Sequence, residues 1–347
     1  MDLSAIRLTE TVTKGGCAAK LPAGQLRKVL GHLKLPKPAD LIVGTDTMDD
    51  ACLWDLGDGR LLVQTLDFFT PIVDDPWEFG AIAAANAMSD VFAMGGRPKI
   101  ALTILGFPAA TLPLEVLEKL LGGAVAKITE AGACLAGGHT IDDDTLKLGF
   151  SVTGFVQKER AWTNANAKIG DVLILTKGLG TGTIASALKS KKAEQTWIAA
   201  ATASMMQLND ILGCLGDIEV HAATDITGFG LAGHALQMAQ ASKVKLEIQT
   251  ELLPALPGAL ACIELGVLNK AHHSNADYAK PYVNYTAVSE AARWLTVDPQ
   301  TSGGLMLCLP EAAAEEAVGK LEKQFFMTRI IGRVRSHRAG EAFVYFT

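Results

Sequence analysis

The residues of this sequence that are best suited to chemistry are aspartates at four separate places. Asp50 lies in "TMDDA", Asp67 lies near the end of the strand-like run "LLVQTLDFF", and Asp225 lies in "TDITGFG". The fourth, Asp90, lies inside an apolar helical stretch. Each one alone is a weak signal, because isolated aspartates at element ends usually act as caps or solvated groups. Carboxylates spread over several segments are, however, typical of Mg²⁺ that bridges protein oxygens to substrate phosphates.

Asp90 is the strongest of the four because its neighbours are Ala, Met, Val and Phe. An unpartnered carboxylate in such surroundings would be costly. Asn86 precedes it by one helical turn and shares its helix face. Two interpretations stay open: the two side chains bind a hard cation or a nucleotide hydroxyl, or they hydrogen-bond to each other.

The net charge of −6 argues against a nucleic-acid partner, because no basic stripe is present to displace counterions from phosphates. Two like unit charges about 4 Å apart repel by about 4 kcal/mol at an effective dielectric of 20. A phosphate site among these aspartates is therefore expected to be a metal site.

Two glycine-rich turns, "AGGHT" (136–140) and "GLGTGT" (178–183), offer backbone N–H groups to phosphate oxygens. Neither has the spacing of a Walker A loop or of a dinucleotide-binding motif. For "GLGTGT", a plain strand-to-helix turn explains the glycines equally well. The first contains His139, whereas surface positions explain most of the other histidines.

The segment "TVTKGGCAAK" places Cys17 three residues before Lys20. A nearby ammonium favours the reactive thiolate, and a lysine also binds phosphate. A glycine-containing leader can close over a site. From the residues alone, a mobile tail with an incidental cysteine is the favoured interpretation.

The elements that must position these residues form two mixed αβ segments. The first contains strands over 61–69, 99–107 and 146–156, with helices over 77–96 and 114–132. A polar stretch at 157–171 marks the boundary. The predicted divisions are a flexible glycine-rich leader (1–45), an N-terminal αβ domain (46–160) and a C-terminal αβ domain (168–347).

The second segment begins with strand 172–177 and contains a long helical region near 193–213 and a helix after residue 230. The loop "DPQTSGG" (298–304) precedes a strand at 305–309, and a short helix is expected from Leu21 to Leu33. Six scattered cysteines without a CxxC pair, and no signal or membrane-spanning run, predict a cytoplasmic protein with reduced thiols and no membrane partner.

These motifs, in this order, resemble the selenophosphate synthetases (selenide, water dikinases). The resemblance is based on "GGCAAK", "DTMDDA", "TLDFFTPIVDDPWEFGAIAAANAMSDVFAMGG", "AGGHTID", "TDITGFGLAGH" and "DPQTSGG". It implies a two-domain, mixed αβ (α+β) fold like that of aminoimidazole ribonucleotide synthetase. It also implies a Mg²⁺-dependent enzyme that converts ATP, selenide and water to selenophosphate, AMP and orthophosphate. The resemblance assigns ATP, Mg²⁺ and a homodimer joined through N-terminal strands to the N-terminal domain (46–160). Whether a partner protein delivers selenium stays open.

The resemblance also implies roles for particular residues. Cys17 and Lys20 match the catalytic pair, and Lys20 would also contact ATP. The implied magnesium ligands are Asp50, Asp90 and Asp225. The implied nucleotide contacts are Thr47, Met48, Asp49, Asp67, Asp90, Gly138, His139 and Thr140.

One position departs from the family pattern, because Ala19 stands where many members have a second cysteine. A dithiol mechanism between neighbouring cysteines is therefore excluded here. Two alternatives stay open: a related ATP-dependent enzyme, such as thiamine-monophosphate kinase or the hydrogenase-maturation dehydratase, and a non-catalytic nucleotide-binding paralogue.

Overall fold

The computed structural model describes residues 6–12, 15–16, 29 and 32–347, and these contain two β-sheets with helices packed against them. The strands of the first sheet are β1 (Leu41–Val43), β2 (Cys52–Asp55), β3 (Arg60–Phe69), β4 (Arg97–Phe107), β5 (Cys134–Asp142) and β6 (Lys147–Gln157). Their order across the sheet is β1-β2-β3-β6-β4-β5, with only β4 and β5 parallel.

Two long helices cover one face of this sheet: α1 (Pro76–Ala93) and α2 (Leu114–Glu130). Helix α1 begins after Asp75, whose carboxylate accepts a hydrogen bond of 2.9 Å from the backbone N of Glu78. All of its residues except Trp77 and Glu78 are buried. Side chains are missing where α1 and α2 meet, since a Cβ at Gly80 would lie 1.8 Å from the carbonyl oxygen of Leu120. The two backbones therefore lie in direct contact.

The two faces of the first sheet differ sharply in character. Along β3, Thr65 and Asp67 lie on the inner face towards α1, where their side chains meet Asp90 and Asn86. The alternating Leu66 and Phe68 lie on the outer face and are 52% and 47% exposed. At this end of β3, the inner face of the first sheet therefore carries polar side chains, whereas the outer face is apolar and exposed.

The second sheet has seven strands: β7 (Val172–Leu175), β8 (Ala222–Asp225), β9 (Val244–Ile248), β10 (Val283–Tyr285), β11 (Leu305–Leu309), β12 (Arg329–Ser336) and β13 (Val344–Phe346). Their order is β10-β13-β9-β12-β7-β11-β8. The remaining α-helices of the described residues are α3 (Thr181–Lys189), α4 (Gln195–Met206), α5 (Leu212–Leu215), α6 (Gly230–Ser242), α7 (Ala259–Glu264), α8 (Lys270–Ala279), α9 (Glu290–Thr296) and α10 (Ala314–Leu321). None of the described helices is long and apolar enough to span a membrane.

Most predicted elements are confirmed, including the three strands and two helices of the first segment. The long helix near 193–213 is wrong, because the chain leaves α4 at Gln207 in an extended conformation and forms only one further helical turn, α5. The "AGGHT" turn is also wrong, because these residues belong to strand β5, where Gly137 and Gly138 adopt φ of 141° and 151°. The predicted helix from Leu21 to Leu33 lies largely outside the described residues.

Candidate active site at the domain junction

The four aspartates predicted from the sequence come together from four elements of both domains. Asp50 lies in the loop two residues before β2, Asp67 lies in β3, Asp90 lies in the last part of α1, and Asp225 ends β8 of the second sheet. Helix α1 lies between the two sheets: its Ser89 donates a 2.6 Å hydrogen bond to Oδ2 of Asp225. The site is therefore formed at the junction of the domains.

Electrostatics show how close these carboxylates are. Burial raises the pKa of Asp90 well above its ordinary value, and repulsion from Asp67, Asp225 and Asp50 raises it further. Burial followed by repulsion from Asp225 does the same to the pKa of Asp50. A group of mutually repelling carboxylates in a low-dielectric setting needs positive charge to stay ionised.

Each of the four carboxylates is held by a particular donor. The hydroxyl of Thr65 donates to Oδ2 of Asp90, and the amide Nδ2 of Asn86 donates to Oδ2 of Asp67 over 2.7 Å. Asp50 accepts a 3.0 Å bond at Oδ1 from Thr224. Of the two alternatives left open for Asn86, an Asn86–Asp90 hydrogen bond is not what forms, because the Asn86 amide joins Asp67 to the backbone N of Ser302 instead.

The donor set fits a hard divalent cation. Asp50 is partly exposed as a residue, but its Oδ2 is enclosed and has no hydrogen-bond partner among the described residues. No three His, Cys, Asp or Glu side chains in the described part of the chain converge into a complete metal-binding group. Mg²⁺ commonly takes only one or two protein carboxylates and completes its shell with water and substrate phosphates. Asp50, Asp90 and Asp225 could therefore each supply an oxygen to Mg²⁺ shared with substrate phosphates, rather than form one complete protein site together.

The loop before β2, whose Thr47, Met48 and Asp49 are predicted nucleotide contacts, is held in place by hydrogen bonds to the rest of the protein. Oδ1 of Asp49 accepts a 2.6 Å bond from the backbone N of Asn164, and Thr47 bonds its Oδ2. Nδ2 of Asn164 also donates to the carbonyl of Met48, whose φ is 53°. The Asp49 carboxylate is thus engaged by protein. A cleft of about 700 Å³ beside this loop is lined by Met48, Asp49, Asp50 and the facing part of β3, and is open to a ligand.

The predicted nucleotide contacts at 138–140 lie apart from the aspartates. Register pairs Asp67 with Phe150, Phe150 with Thr103, and Thr103 with Gly138, so three strand spacings separate Asp67 from Gly138. At about 4.8 Å per spacing this is roughly 14 Å. His139 is exposed and lies on the outer face with Phe68. Within one chain, therefore, the structure does not bring His139 to the acidic group.

Cys17 and Lys20 lie outside the described residues, but the chain just before them is placed. The backbone N of Gly16 donates a 3.0 Å bond to the carbonyl of Thr70, three residues after Asp67. Gly16 has φ of 59°, and a Cβ there would lie 2.5 Å from Cδ1 of Ile72 and 2.6 Å from Oγ1 of Thr301. Only glycine fits this left-handed, crowded position. The segment that leads to Cys17 is therefore anchored beside the site.

The loop 298–304, predicted from the sequence as a loop before a strand, borders the site: its Ser302 contacts both Asn86 and Lys177. Lys177, at the end of β7, is 2% exposed and donates to the carbonyls of Gln207 (2.6 Å) and Ser302 (3.1 Å). Burial lowers its pKa to about 7, against the opposing attraction of Asp225.

In the glycine-rich turn "GLGTGT", the backbone N–H groups of Gly180 and Thr181 donate to Gln300. These bonds favour the strand-to-helix-turn interpretation over phosphate binding.

Sequence reasoning missed Ser89, Asn209 and Thr224, which hold the acidic group from three different elements. It also explained most histidines by surface positions, whereas His272 is fully buried beside Asp298. Ser89 alone had a readable signal, because it shares with Asn86 the polar stripe of an otherwise apolar helix.

Comparison with known proteins agrees with this architecture. The family model for the N-terminal domain of AIR synthase related proteins matches residues 48–156, and the model for the C-terminal domain matches 168–344. A solved thiamine-monophosphate kinase from Stenotrophomonas maltophilia superposes with a TM-score of 0.64 at 20% identity, covering 94% of this chain and 96% of its own. The hydrogenase maturation protein HypE in complex with ATP gives 0.65 at 20% identity, covering 94% and 92%. The fold is thus that of the AIR synthase related class.

Comparison with curated proteins identifies the family within this class. A selenide, water dikinase from Bdellovibrio bacteriovorus is 51% identical over 96% of this chain and 97% of its own length. The one from Nitrosomonas eutropha is 47% identical over 95% of each chain. The chain belongs to the selenide, water dikinase family. The family predicted from the sequence motifs and the two-domain mixed αβ fold are both confirmed.

Proposed function

We propose that this protein is an ATP-dependent enzyme that makes selenophosphate from selenide and water and releases AMP and orthophosphate. The family membership supports this reaction. One structural observation supports it for this chain in particular. Four aspartates from two domains form one repelling group whose Asp50 Oδ2 is enclosed and unpartnered in the described structure. Such a group suits the polyanionic tail of ATP only together with divalent cations.

The roles of the residues follow from charge. Asp50, Asp90 and Asp225 hold Mg²⁺, which when bound neutralises phosphate oxygens and orients them. Lys20 stabilises the negative charge that develops on the transferred γ-phosphoryl. Cys17 guides the selenium species, and with Ala19 beside it acts without a neighbouring thiol. The placement of Gly16 supports this assignment, because it holds the residue just before Cys17 next to Thr70 and Thr301.

Nucleotide binding is proposed for the loop at Thr47, Met48 and Asp49, with Asp67 and Asp90. Since Asp49 is engaged by Asn164 and Thr47, this loop contributes chiefly backbone groups and the wall of the adjoining cleft. We keep the divisions 1–45, 46–160 and 168–347, a cytoplasmic location and a selenium-delivering partner as parts of the same proposal.

A homodimer accounts for the outer face of the first sheet. Leu66, Phe68 and Leu102 are 43–52% exposed, Ile141 on β5 is 53% exposed, and these residues line one face with His139. Covering such a face with a second copy removes apolar surface from water. It also brings Gly138, His139 and Thr140 to the other copy, where they would serve its nucleotide. Sedimentation at several protein concentrations tests the dimer.

Phosphorus NMR of the protein with MgATP tests the reaction. With selenide added, we expect AMP, orthophosphate and a selenophosphate resonance in equal amounts, and none of these without selenide. Cys17→Ser is expected to stop selenophosphate formation while leaving nucleotide binding intact. ADP as the only nucleotide product would indicate a kinase, absence of turnover a binding paralogue, and full selenophosphate output from Cys17→Ser would remove the thiol from the chemistry.

A further inference from the structure

Ser89 and Asn209 form a chain of hydrogen bonds that ends on Asp225. Nδ2 of Asn209 donates to Oγ of Ser89 over 2.8 Å and to the carbonyl of Gly303 over 2.7 Å. Oγ of Ser89 lies 2.6 Å from Oδ2 of Asp225. The three side chains are no more than 1% exposed, so water does not compete for these bonds. Ser89 belongs to the N-terminal domain, and it lies between two residues of the C-terminal domain.

The direction of this chain is fixed by elementary chemistry. The carbonyl oxygen of Gly303 can only accept, so the Asn209 amide must present its nitrogen to it; a reversed amide would set Oδ1 against that carbonyl. The same nitrogen can only donate to Ser89. The single hydroxyl proton of Ser89 is then left for Asp225. Asn209 thus occupies a lone pair of the Ser89 oxygen, while the Ser89 hydroxyl proton points to Asp225 Oδ2, which as a carboxylate oxygen can only accept.

This arrangement matters because Asp225 repels both Asp50 and Asp90. A donor on one of its oxygens offsets that repulsion and fixes the carboxylate plane. Partners that orient a metal ligand from behind typically change metal affinity by about 10- to 100-fold when removed.

We propose that Ser89 and Asn209 are positioning residues for Asp225, acting as one directional relay by which the N-terminal helix α1 sets a metal ligand of the C-terminal domain. The proposal rests on the proposed role of Asp225 as a Mg²⁺ ligand. It predicts that Ser89 and Asn209 act as a unit, because the Asn209 contribution reaches Asp225 only through Ser89.

Binding of Mn²⁺ to the full-length protein with a non-hydrolysable ATP analogue tests the relay, with free Mn²⁺ read by electron paramagnetic resonance. We expect Ser89→Ala and Asn209→Leu each to raise the Mn²⁺ dissociation constant about 10-fold. The double variant is expected to be no weaker than Ser89→Ala, since coupled residues are non-additive.

Thr296→Val is the matched control. Oγ1 of Thr296 is also fully buried, donates one short bond (2.7 Å, to the Arg293 carbonyl) and lies 2.9 Å from a second hydroxyl, that of Tyr285. Its loss should lower the urea midpoint as Ser89→Ala does, yet leave Mn²⁺ binding unchanged. A purely structural role for Ser89 would make the two variants alike in both measurements.

Asp225→Asn separates failure of the relay from failure of the proposed metal site. Weak Mn²⁺ binding in Asp225→Asn with wild-type binding in Ser89→Ala would overturn the relay alone. Wild-type binding in Asp225→Asn would remove Asp225 as a ligand and the relay with it. A double variant about 100-fold weaker than wild type would show that Ser89 and Asn209 act independently, against a directional chain.

Discussion

Asp298 and Asp50 both have enclosed carboxylate oxygens, but the hydrogen bonds that these oxygens accept differ. Oδ1 of Asp298 accepts from Thr183 over 2.9 Å and lies 3.0 Å from Nε2 of His272, while Oδ2 accepts from Gln300 over 2.7 Å. Asp50 has one donor on Oδ1, an enclosed Oδ2 without a partner among the described residues, and a repelling neighbour in Asp225. A fully engaged buried acid stabilises a fold, whereas an under-engaged one beside other carboxylates marks a ligand site.

The largest effect expected from this contrast is on catalysis. Asp225→Asn removes one charge of the repelling group, so we expect selenide-dependent AMP release to fall about 10³-fold, or about 4 kcal/mol in the barrier. Because repulsion of Asp50 and Asp90 is also relieved, the metal-free protein should be as stable as wild type or more so. Discontinuous AMP assays and urea unfolding in a chelator check both parts, and a large loss of stability would contradict the contrast.

The opposite pattern is expected at Asp298. In Asp298→Asn, one oxygen becomes a donor facing the donors Thr183, His272 or Gln300, and breaking such a buried network typically costs about 3 kcal/mol. Urea unfolding should show this loss, while the folded fraction keeps its Mn²⁺ affinity. Thr328→Val, which removes the bond from a fully buried hydroxyl to the Phe325 carbonyl, provides a control remote from both acids. Unchanged stability in Asp298→Asn would mean that the number of hydrogen bonds to the carboxylate does not distinguish Asp298 from Asp50.

The smallest change, taken per pH unit, is expected at Lys177, whose ammonium donates to the Ser302 carbonyl and is attracted by Asp225. Its folded pKa of about 7 is lower than that of an unfolded lysine, so between about pH 7 and 10 the unfolded chain holds more protons and stability rises with pH. Below pH 7 both states are protonated and the burial cost is constant. The slope from this one group is at most about 1.4 kcal/mol per pH unit.

Lys177→Met should remove that slope from the metal-free protein. Urea unfolding of both proteins at several pH values between 6 and 10 measures the difference, which cancels contributions from the aspartates. Lys189→Met, which replaces an exposed lysine at the end of α3, serves as the control. Parallel curves for wild type and Lys177→Met would show that Lys177 stays protonated throughout.

The elements that could be predicted from the sequence are those with a pattern formed by neighbouring residues. Alternation in β3 and the glycine-bounded apolar run of α1 follow from neighbouring residues, and both were predicted. β5 was not recognised, because Gly137 and Gly138 suggest a turn unless the parallel partner β4 is known. The aspartates were found by residue type and by family motif. Their donors were not, since Ser89 and Asp225 are 136 positions apart in the chain.

Helix α1 carries Asp90 as a candidate ligand, holds Asp67 through Asn86, and reaches Asp225 through Ser89. Severing the chain in the linker at 158–171 would leave each fragment with a sheet and part of the acidic group, so neither fragment would have an intrinsic turnover number. Activity would then belong to the reassembled pair and would scale with the product of the two fragment concentrations.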